Sequence, residues 1–419
     1  MDSNIYDIIG IGIGPFNLGL AAITHDLPEL SCLFLEQKPA FDWHPGLLLP
    51  GARMQVPFFA DLVGILHPQS PFTYYSFLQK TGRFFKFANN DNIFPLRIEY
   101  NRYCQWVARQ LPSLRFNHCC ANIYFDEATS TYHVETNQRV FHGKHLVLGT
   151  GTTPAMPETL TQLNQPLIFH SGEYLLHKDK LLQQKRITII GSGQSAAEIL
   201  YDLLPYADEL DSLSWFTRSN RFHPMDYSRL TTEMTSQDYI DYFYSLDDAV
   251  KAAVLHQQRY LYNGINMELI SQISDALYVR EASGGKPNIT IQANSDLLNA
   301  RMKFDTSIEL HLWHKEKAEH STHCTDAVIA ATGYADKVPT CVHPLKDHID
   351  WKTNGLYNIK RDYSIDCNNT LFVQNADLHT HGFNSADLAM GPYRNATILN
   401  AILKKEHFSF ERNTGFQSF

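Results

Sequence analysis

Two strand–glycine-turn–helix units about 180 positions apart, and a tyrosine-rich helical stretch after the second, predict an α/β fold. The expected architecture is two Rossmann-like units, the second inserted into the first, plus a small helical region. The first unit begins Asp7-Ile8-Ile9-Gly10-Ile11-Gly12-Ile13-Gly14-Pro15-Phe16-Asn17, an apolar run entering a G-x-G-x-x-N turn and then an apolar helical pattern. In the second, the short apolar strand 186–190 enters Gly191-Ser192-Gly193-Gln194-Ser195-Ala196, a G-x-G-x-x-A turn. Glycine at the first two positions allows a tight turn and the close approach of a pyrophosphate. The phosphates then lie over a helix N-terminus, where free N–H groups and the dipole favour anions. Each unit therefore predicts a dinucleotide site, although a glycine turn of this kind also occurs in α/β proteins without one.

The strand that follows each turn separates the two sites. In the first unit the apolar run 30–35 ends in Glu36-Gln37, where an acid would hold a ribose hydroxyl. In the second, the strand 213–217 stops at Arg218, and arginine there selects a 2′-phosphate. A dinucleotide on the first unit and NADPH on the second are expected, the organisation of a flavoprotein with an inserted nucleotide domain.

Between the units, prolines and glycines are too dense across 41–62 for a helix, so a surface loop is expected. Its Trp43, His44, Met54 and Gln55 either face a bound ring or pack down on the core. Helices are expected near 72–80 and 99–111, and strands at 122–125, 132–136 and 143–148. Pro154, Pro157 and Pro166 mark the crossing into the second unit. Residues 225–280 break the α/β rhythm with candidate helices at 238–244, 249–262 and 267–278, a natural place for substrate contacts. Strands follow at 288–292, 307–313 and 326–331, the last ending in Thr332-Gly333-Tyr334. A strand at 371–375, a turn containing His381-Gly382, a helix from about Ala386 to Lys404 and a polar, mobile tail from Glu406 complete the chain. The expected partition is 1–165 and 326–405 for the first unit, 166–227 and 286–325 for the second, 228–285 for the helical insertion and 406–419 for the tail.

Bulk properties narrow the class. The 419 residues allow two or three domains, and 44% hydrophobic with 19% charged residues is ordinary for a globular chain. A formal charge of −9 gives no reason to expect nucleic acid. No apolar run approaches the ~20 residues that span a bilayer, and no basic, apolar leader precedes the first strand. Seven scattered cysteines without a C-x-x-C fit a reducing, cytoplasmic setting, and the 20 histidines show no H-E-x-x-H pattern, so no metal is expected.

With both turns and the Asp326-x-x-x-x-Ala331-Thr332-Gly333-Tyr334-x-x-x-x-Pro339 stretch in view, the chain resembles the flavin-dependent N-hydroxylating monooxygenases of siderophore biosynthesis, the lysine, ornithine and diamine N-hydroxylases. Trp43-His44-x-Gly46, Met54-Gln55, Gly149-Thr150-Gly151 and Thr380-His381-Gly382 belong to the same resemblance, which covers residues 5 to about 403. It implies that NADPH reduces FAD, that reduced flavin takes O₂ at C4a, and that the resulting hydroperoxide oxidises a primary amine. It assigns Gly12, Gly14, Pro15, Asn17, Glu36 and Gln37 to FAD, with Trp43, His44, Met54 and Gln55 near the ring. Gly191, Ser192, Gly193, Gln194, Ser195 and Arg218 fall to NADPH, and Thr332, Gly333, Tyr334, His381 and Gly382 to the cofactors generally. Gln55 and Asn263 are the candidate catalytic residues, and a homo-oligomer (dimer or tetramer) is implied.

The substrate is where this sequence departs from relatives that act on amino acids. Those carry a lysine for the substrate carboxylate in a Phe-Leu-Lys-Asp-Leu stretch; here it reads Phe58-Phe59-Ala60-Asp61-Leu62. Thr232 and Leu261 stand where those relatives place asparagines. Asp387 appears in a stretch that is apolar in the ornithine enzymes, and it is either a partner for a distal ammonium or a helix cap. An aliphatic diamine, putrescine or cadaverine, is the expected substrate, with histamine, lysine and ornithine as alternatives. A disulfide reductase would need paired redox cysteines, which are missing. A Baeyer–Villiger or sulfide-type flavin monooxygenase shares only the Phe169-His170-Ser171 core of its linker motif, and a non-catalytic flavin module would leave Arg218 without a purpose.

Overall fold

The computed structural model describes residues 4–303 and 307–419. Strand Ile5–Ile11 is buried from Ile8 onward because parallel strands Cys32–Leu35 and Val140–Leu148 flank it on both sides. The seven-stranded mixed sheet built on it runs, edge to edge, Leu114–Arg115, Cys32–Leu35, Ile5–Ile11, Val140–Leu148, Thr131–Thr136, Cys120–Asp126. Leu371–Val373 also pairs in parallel with Val140–Leu148. Ile11 is in register with both Leu35 and Leu148, so Gly12, Glu36 and Gly149 follow the carboxyl ends of three adjacent strands. Open α/β sheets bind ligands at those ends. Helix Pro15–His25, buried on nearly every face, packs against helices Gly391–Leu403 and Arg97–Ala108.

A second, five-stranded sheet is wholly parallel, in the order Ile289–Gln292, Ser212–Phe216, Arg186–Ile190, Ala327–Ala330, Ile168–His170. The chain passes out to it through Thr153–Pro154 and returns through Tyr334–Ala335, and these two short strands pair with each other antiparallel. The expected boundary at 326 is therefore too early. Val328 pairs with both Ile168 and Thr188, so strand Ala327–Ala330 belongs to the second sheet and the return crossing follows it.

The middle strand of a three-stranded antiparallel sheet, Ile308–His314, was legible; its neighbours Ser295–Met302 and Glu319–Thr325 were not. Most residues of both are exposed or half-buried, so neither carries a clear apolar alternation. The helical stretch comprises Arg229–Thr232, Gln237–Ser245, Asp248–Asn263 and Met267–Ala282. Ser236 caps the second of these and Asn266 the last, each accepting backbone N–H groups. Tyr239 and Phe243 pack with Phe383, tying the helices to the segment after the last strand of the first sheet.

Two expectations near the C-terminus are corrected. The last helix starts at Gly391 rather than about Ala386, because the Asp387 carboxylate accepts the Ala389 N–H at 2.8 Å and 3₁₀ turns occupy Phe383–Ala386 and Leu388–Met390. The tail is docked rather than mobile. Asn400 brackets His407 and Phe408 through three hydrogen bonds of 2.8–3.0 Å, and Phe410 packs edge-on to Tyr393. Among the described residues no helix is long and apolar enough to cross a membrane.

Candidate active site

The first glycine turn is built backbone against backbone. Gly12 has φ +87°, and a Cβ there would lie 2.5 Å from the Gly149 carbonyl oxygen. Gly14 precedes the helix, and a Cβ added to it meets nothing within 4 Å, so the helix N-terminus opens on free space. Pro15 fills the first helical position, where no N–H partner is needed. Asn17 is fully buried. Its Nδ2 donates to the carbonyl oxygens of Gly12 (2.8 Å), Ile11 (3.3 Å) and Val147 (3.3 Å), and its Oδ1 accepts from Gln374 Nε2 at 2.8 Å. Gln374 in turn donates to Asn395 Oδ1, which sits on the last helix. Asparagine in the third slot thus clamps the turn to two neighbouring strands.

That turn forms one end of a cavity of about 1940 Å³. Ordinary ligand pockets occupy roughly 300–1,000 Å³, so a dinucleotide and a small second molecule fit together. Gly12, Gly14, Pro15, Asn17, Glu36, Gln37, Trp43, His44, Met54 and Gln55 all line it. The Glu36 carboxylate accepts the Ile13 N–H and the Lys38 N–H, both at 2.9 Å, which holds it beside the turn. Burial pushes the His44 imidazole down to about 4, so it is neutral at physiological pH. Tyr334 also lines the cavity, its hydroxyl 3.5 Å from His44 Nδ1 and its ring edge-on to His170.

The second turn lies behind this cavity rather than in its wall: Gly191, Ser192, Gly193, Gln194 and Ser195 are absent from the lining. Gln194 joins the two. Its Oε1 accepts the Asn266 N–H at 2.8 Å and lies 3.5 Å from Nε2 of Gln55 in the cavity wall. A Cβ on Gly193 would sit 3.6 Å from the Asn263 carbonyl oxygen, so the end of helix Asp248–Asn263 also reaches this turn. Ser192 Oγ is 3.2 Å from Ser219 Oγ, and the neighbouring Arg218 is exposed, its guanidinium without a partner among the described residues. A glycine turn at a helix N-terminus beside a free arginine suits a phosphorylated nucleotide.

The far wall comes from the helical stretch and the C-terminal segments. Thr232, Leu261, Asn263 and Asp387 all line it. Asp387 has one carboxylate oxygen engaged by its cap; the other has no hydrogen-bond partner among the described residues. Burial holds its carboxyl above the usual range, and its charge adds to burial in raising the hydroxyl of Tyr227, another lining residue. Ala60, by contrast, is buried at 1% exposure outside the lining, and its neighbour Phe59 faces the cavity instead.

Four expected cofactor residues also lie outside the lining. His381 is fully buried and stacked on Tyr363 at 4.2 Å, and Gly382 packs against the Phe243 ring. Thr332 donates to the Ala155 carbonyl at 2.6 Å and Gly333 accepts from His170 at 2.9 Å, so both support the crossing strands. Sequence reasoning missed Asp226 and Tyr227 of the far wall and the contribution of the tail, for which no motif gave a signal.

Two glycine turns at the ends of two sheets, one opening on a large cavity with aromatic and acidic walls, are the construction of a dinucleotide-dependent oxidoreductase. The chain belongs to the L-lysine 6-monooxygenase/L-ornithine 5-monooxygenase family, whose model matches residues 4–336. It is 43% identical to a putrescine N-hydroxylase of Shewanella oneidensis, over 100% of this chain and 85% of that protein. The FAD-bound structure of the desferrioxamine-pathway cadaverine monooxygenase of Erwinia amylovora is similar at TM-score 0.97 and 41% identity, covering 100% of this chain and 99% of that one. An ornithine N-hydroxylase of Kutzneria, solved with reduced FAD, NADP⁺ and L-ornithine, gives TM-score 0.88 at 26% identity, with coverage of 96% and 99%.

Proposed function

We propose that this chain N-hydroxylates an aliphatic diamine, putrescine or cadaverine, using NADPH and O₂, in siderophore biosynthesis. The observation that carries this reading is the charge of the far wall. Its lining residues from 225–263 and 383–414 include the carboxylates of Asp226, Asp387 and Glu411 and no lysine, arginine or histidine. An amino-acid substrate would bring a carboxylate to that wall with no cation to meet it. A diamine brings only cationic or neutral nitrogen. The names of the Shewanella and Erwinia relatives support the same choice.

In this reading the first sheet and its turn form the FAD unit, and the second sheet, inserted between the crossing strands, forms the NADPH unit. Gly12, Gly14 and the N-terminus of helix Pro15–His25 would hold the FAD pyrophosphate, Glu36 the ribose, and Trp43, His44, Met54 and Gln55 the ring. Gly191 to Ser195 would hold the NADPH pyrophosphate and Arg218 its 2′-phosphate. When bound, FAD reduced by NADPH supplies the activation of O₂.

The protein's own part is to present a neutral amine. An alkyl ammonium has a pKa near ~10.4 and no lone pair, so it must lose its proton before it can react. Leu261, Phe383 and Met390 give the cavity apolar lining, and enclosure by such surface lowers the pKa of a bound amine. The free oxygen of Asp387 holds the other, still protonated, nitrogen. Gln55 and Asn263, both in the lining, supply side-chain amides that would orient the reacting nitrogen. A panel of amines scored for hydroxylamine tests this directly. Putrescine and cadaverine should exceed lysine and ornithine in kcat/KM, and the reverse order would overturn the assignment. Histamine, which also lacks a carboxylate, is the control for chain shape.

A further inference from the structure

Residues after helix Gly391–Leu403 have no regular structure, yet they are fastened along one line. Arg412 pairs with Asp241. The Thr414 backbone N–H and hydroxyl both donate to Asp238, at 2.9 and 3.1 Å. The N–H groups of Phe416 and Gln417 both donate to Glu233, each at 3.0 Å. Rings hold the two ends, Phe410 on Tyr393 at 4.6 Å and Phe419 on Tyr239 at 5.0 Å. Three carboxylates of the helical stretch are thus committed to holding this segment. Ordering a residue costs roughly 1–2 kcal/mol of backbone entropy, so a tail without a task would gain little from so many fastenings.

What the fastenings accomplish is to bring Ser409, Phe410, Glu411 and Thr414 into the lining of the large cavity. Phe410 adds apolar surface beside Met390, also in the lining. Glu411 makes no hydrogen bond or ion pair among the described residues, and it stands exposed at the rim of the same wall as Asp387. The segment thus contributes both the apolar ring of Phe410 and an acidic residue without a partner among the described residues, Glu411, to the same lining.

We propose that residues 406–419 are a specificity strap: they close the amine end of the cavity, and Glu411 is a second anionic contact that favours substrates with two nitrogens. The proposal rests on the amine-hydroxylation reading above and adds to it a segment and a residue.

The test uses the FAD-loaded enzyme with putrescine, cadaverine and the monoamine n-butylamine. Glu411→Gln should raise KM for both diamines by roughly threefold, the scale of an exposed ion pair, leave KM for n-butylamine unchanged, and lose its effect at high salt. A chain ending at Lys405 should raise the diamine KM further and release more peroxide per NADPH, while retaining FAD and amine-free NADPH oxidation. Unchanged diamine KM in Glu411→Gln, or an equal change for n-butylamine, overturns the role of the charge. Unchanged KM and coupling in the shortened chain overturn the strap. If the shortened chain fails to retain FAD, Phe410→Ala in the full chain decides instead, with unchanged coupling counting against the strap. A parent enzyme that hydroxylates none of the three amines refutes the underlying reading, which is a different result from intact hydroxylation with indifferent variants.

Discussion

Replacing Asn17 with glycine would restore the common third glycine of the first turn, and it should nevertheless destabilise the protein. Asn17 Nδ2 reaches three carbonyl oxygens, at 2.8, 3.3 and 3.3 Å, and its Oδ1 accepts from Gln374 at 2.8 Å. The bond to Gly12 contributes about 1 kcal/mol, and the Gln374 N–H left unpaired in the interior costs about 1–2 kcal/mol. Glycine within the first turn of the helix adds about a few tenths of a kcal/mol relative to asparagine. The expected loss is about 3 kcal/mol, a large part of the ~5–15 kcal/mol that holds a typical protein folded. Gln374 Oε1 already lacks a partner, so the substitution would leave this buried amide with only its bond to Asn395 Oδ1. Urea unfolding of flavin-free protein measures it without the contribution of ligand binding, with the comparison made at unchanged m-value. A loss below about 1 kcal/mol would refute the clamp and make Asn17 a neutral occupant. Asn17→Asp should be worse still, because it sets a carboxylate against three carbonyl oxygens.

Other expectations follow from the same geometry. Asp387→Asn should raise KM for putrescine by roughly tenfold, the scale of a lost charge-assisted hydrogen bond, with kcat changed less; equal KM values in steady-state assays would remove Asp387 from the site. Because burial raises the Asp387 pKa, its carboxylate is lost as pH falls through a value above the ordinary 3.8, so KM for the diamine should climb earlier on acidification in the parent than in Asp387→Asn. His44 and His381 are pushed down to about 4 and about 3 by burial. The unfolded chain takes up those protons near pH 6.5 and the native one does not, so stability falls as pH drops below 6.5. Each histidine accounts for up to about 2 kcal/mol by pH 5, to be read from urea midpoints across that range. Arg97, bonded to both Glu198 oxygens at 2.7 and 2.8 Å with only 12% and 5% of the side chains exposed, joins the first helical layer to the helix of the second turn. Arg97→Met should cost about 3 kcal/mol by leaving a buried carboxylate, whereas Arg97→Met with Glu198→Leu should recover most of it in thermal unfolding.

What could be read from sequence was whatever is local. Gly12, Gly14 and Glu36 were legible because strand, turn and acid fall within one unit, and the structure gathers them on one cavity. The helices of 237–282 followed from apolar spacing alone. The function of Asn17 was not legible, because Gln374 lies 357 positions away and a hydrogen bond leaves no pattern in the chain. The burial of His381 was not legible for a related reason. A Thr-His-Gly turn looks like a ligand loop, and only the fold shows its imidazole stacked on Tyr363 and away from the cavity. Asp387 is a cap, as one alternative had it, and because capping occupies only one of its oxygens the other remains available for the proposed contact with a substrate nitrogen. The tail was misread because its composition is polar, while its order comes from carboxylates on helices more than 170 positions earlier.

The antiparallel pairing of Thr153–Pro154 with Tyr334–Ala335 has a consequence for synthesis. It nests one sheet inside the other, and nested elements finish in a fixed order as the chain leaves the ribosome. By Ala330 every strand of the parallel sheet has been made. The outer sheet still lacks Leu371–Val373, and helix Pro15–His25 still lacks the helix Gly391–Leu403 that covers it. The inner sheet therefore matures first, against an outer partner whose apolar face stays uncovered until the final residues emerge. Mutations in the last 50 or so residues should burden chaperones more than equally destabilising changes in the inner sheet, because they prolong that exposure.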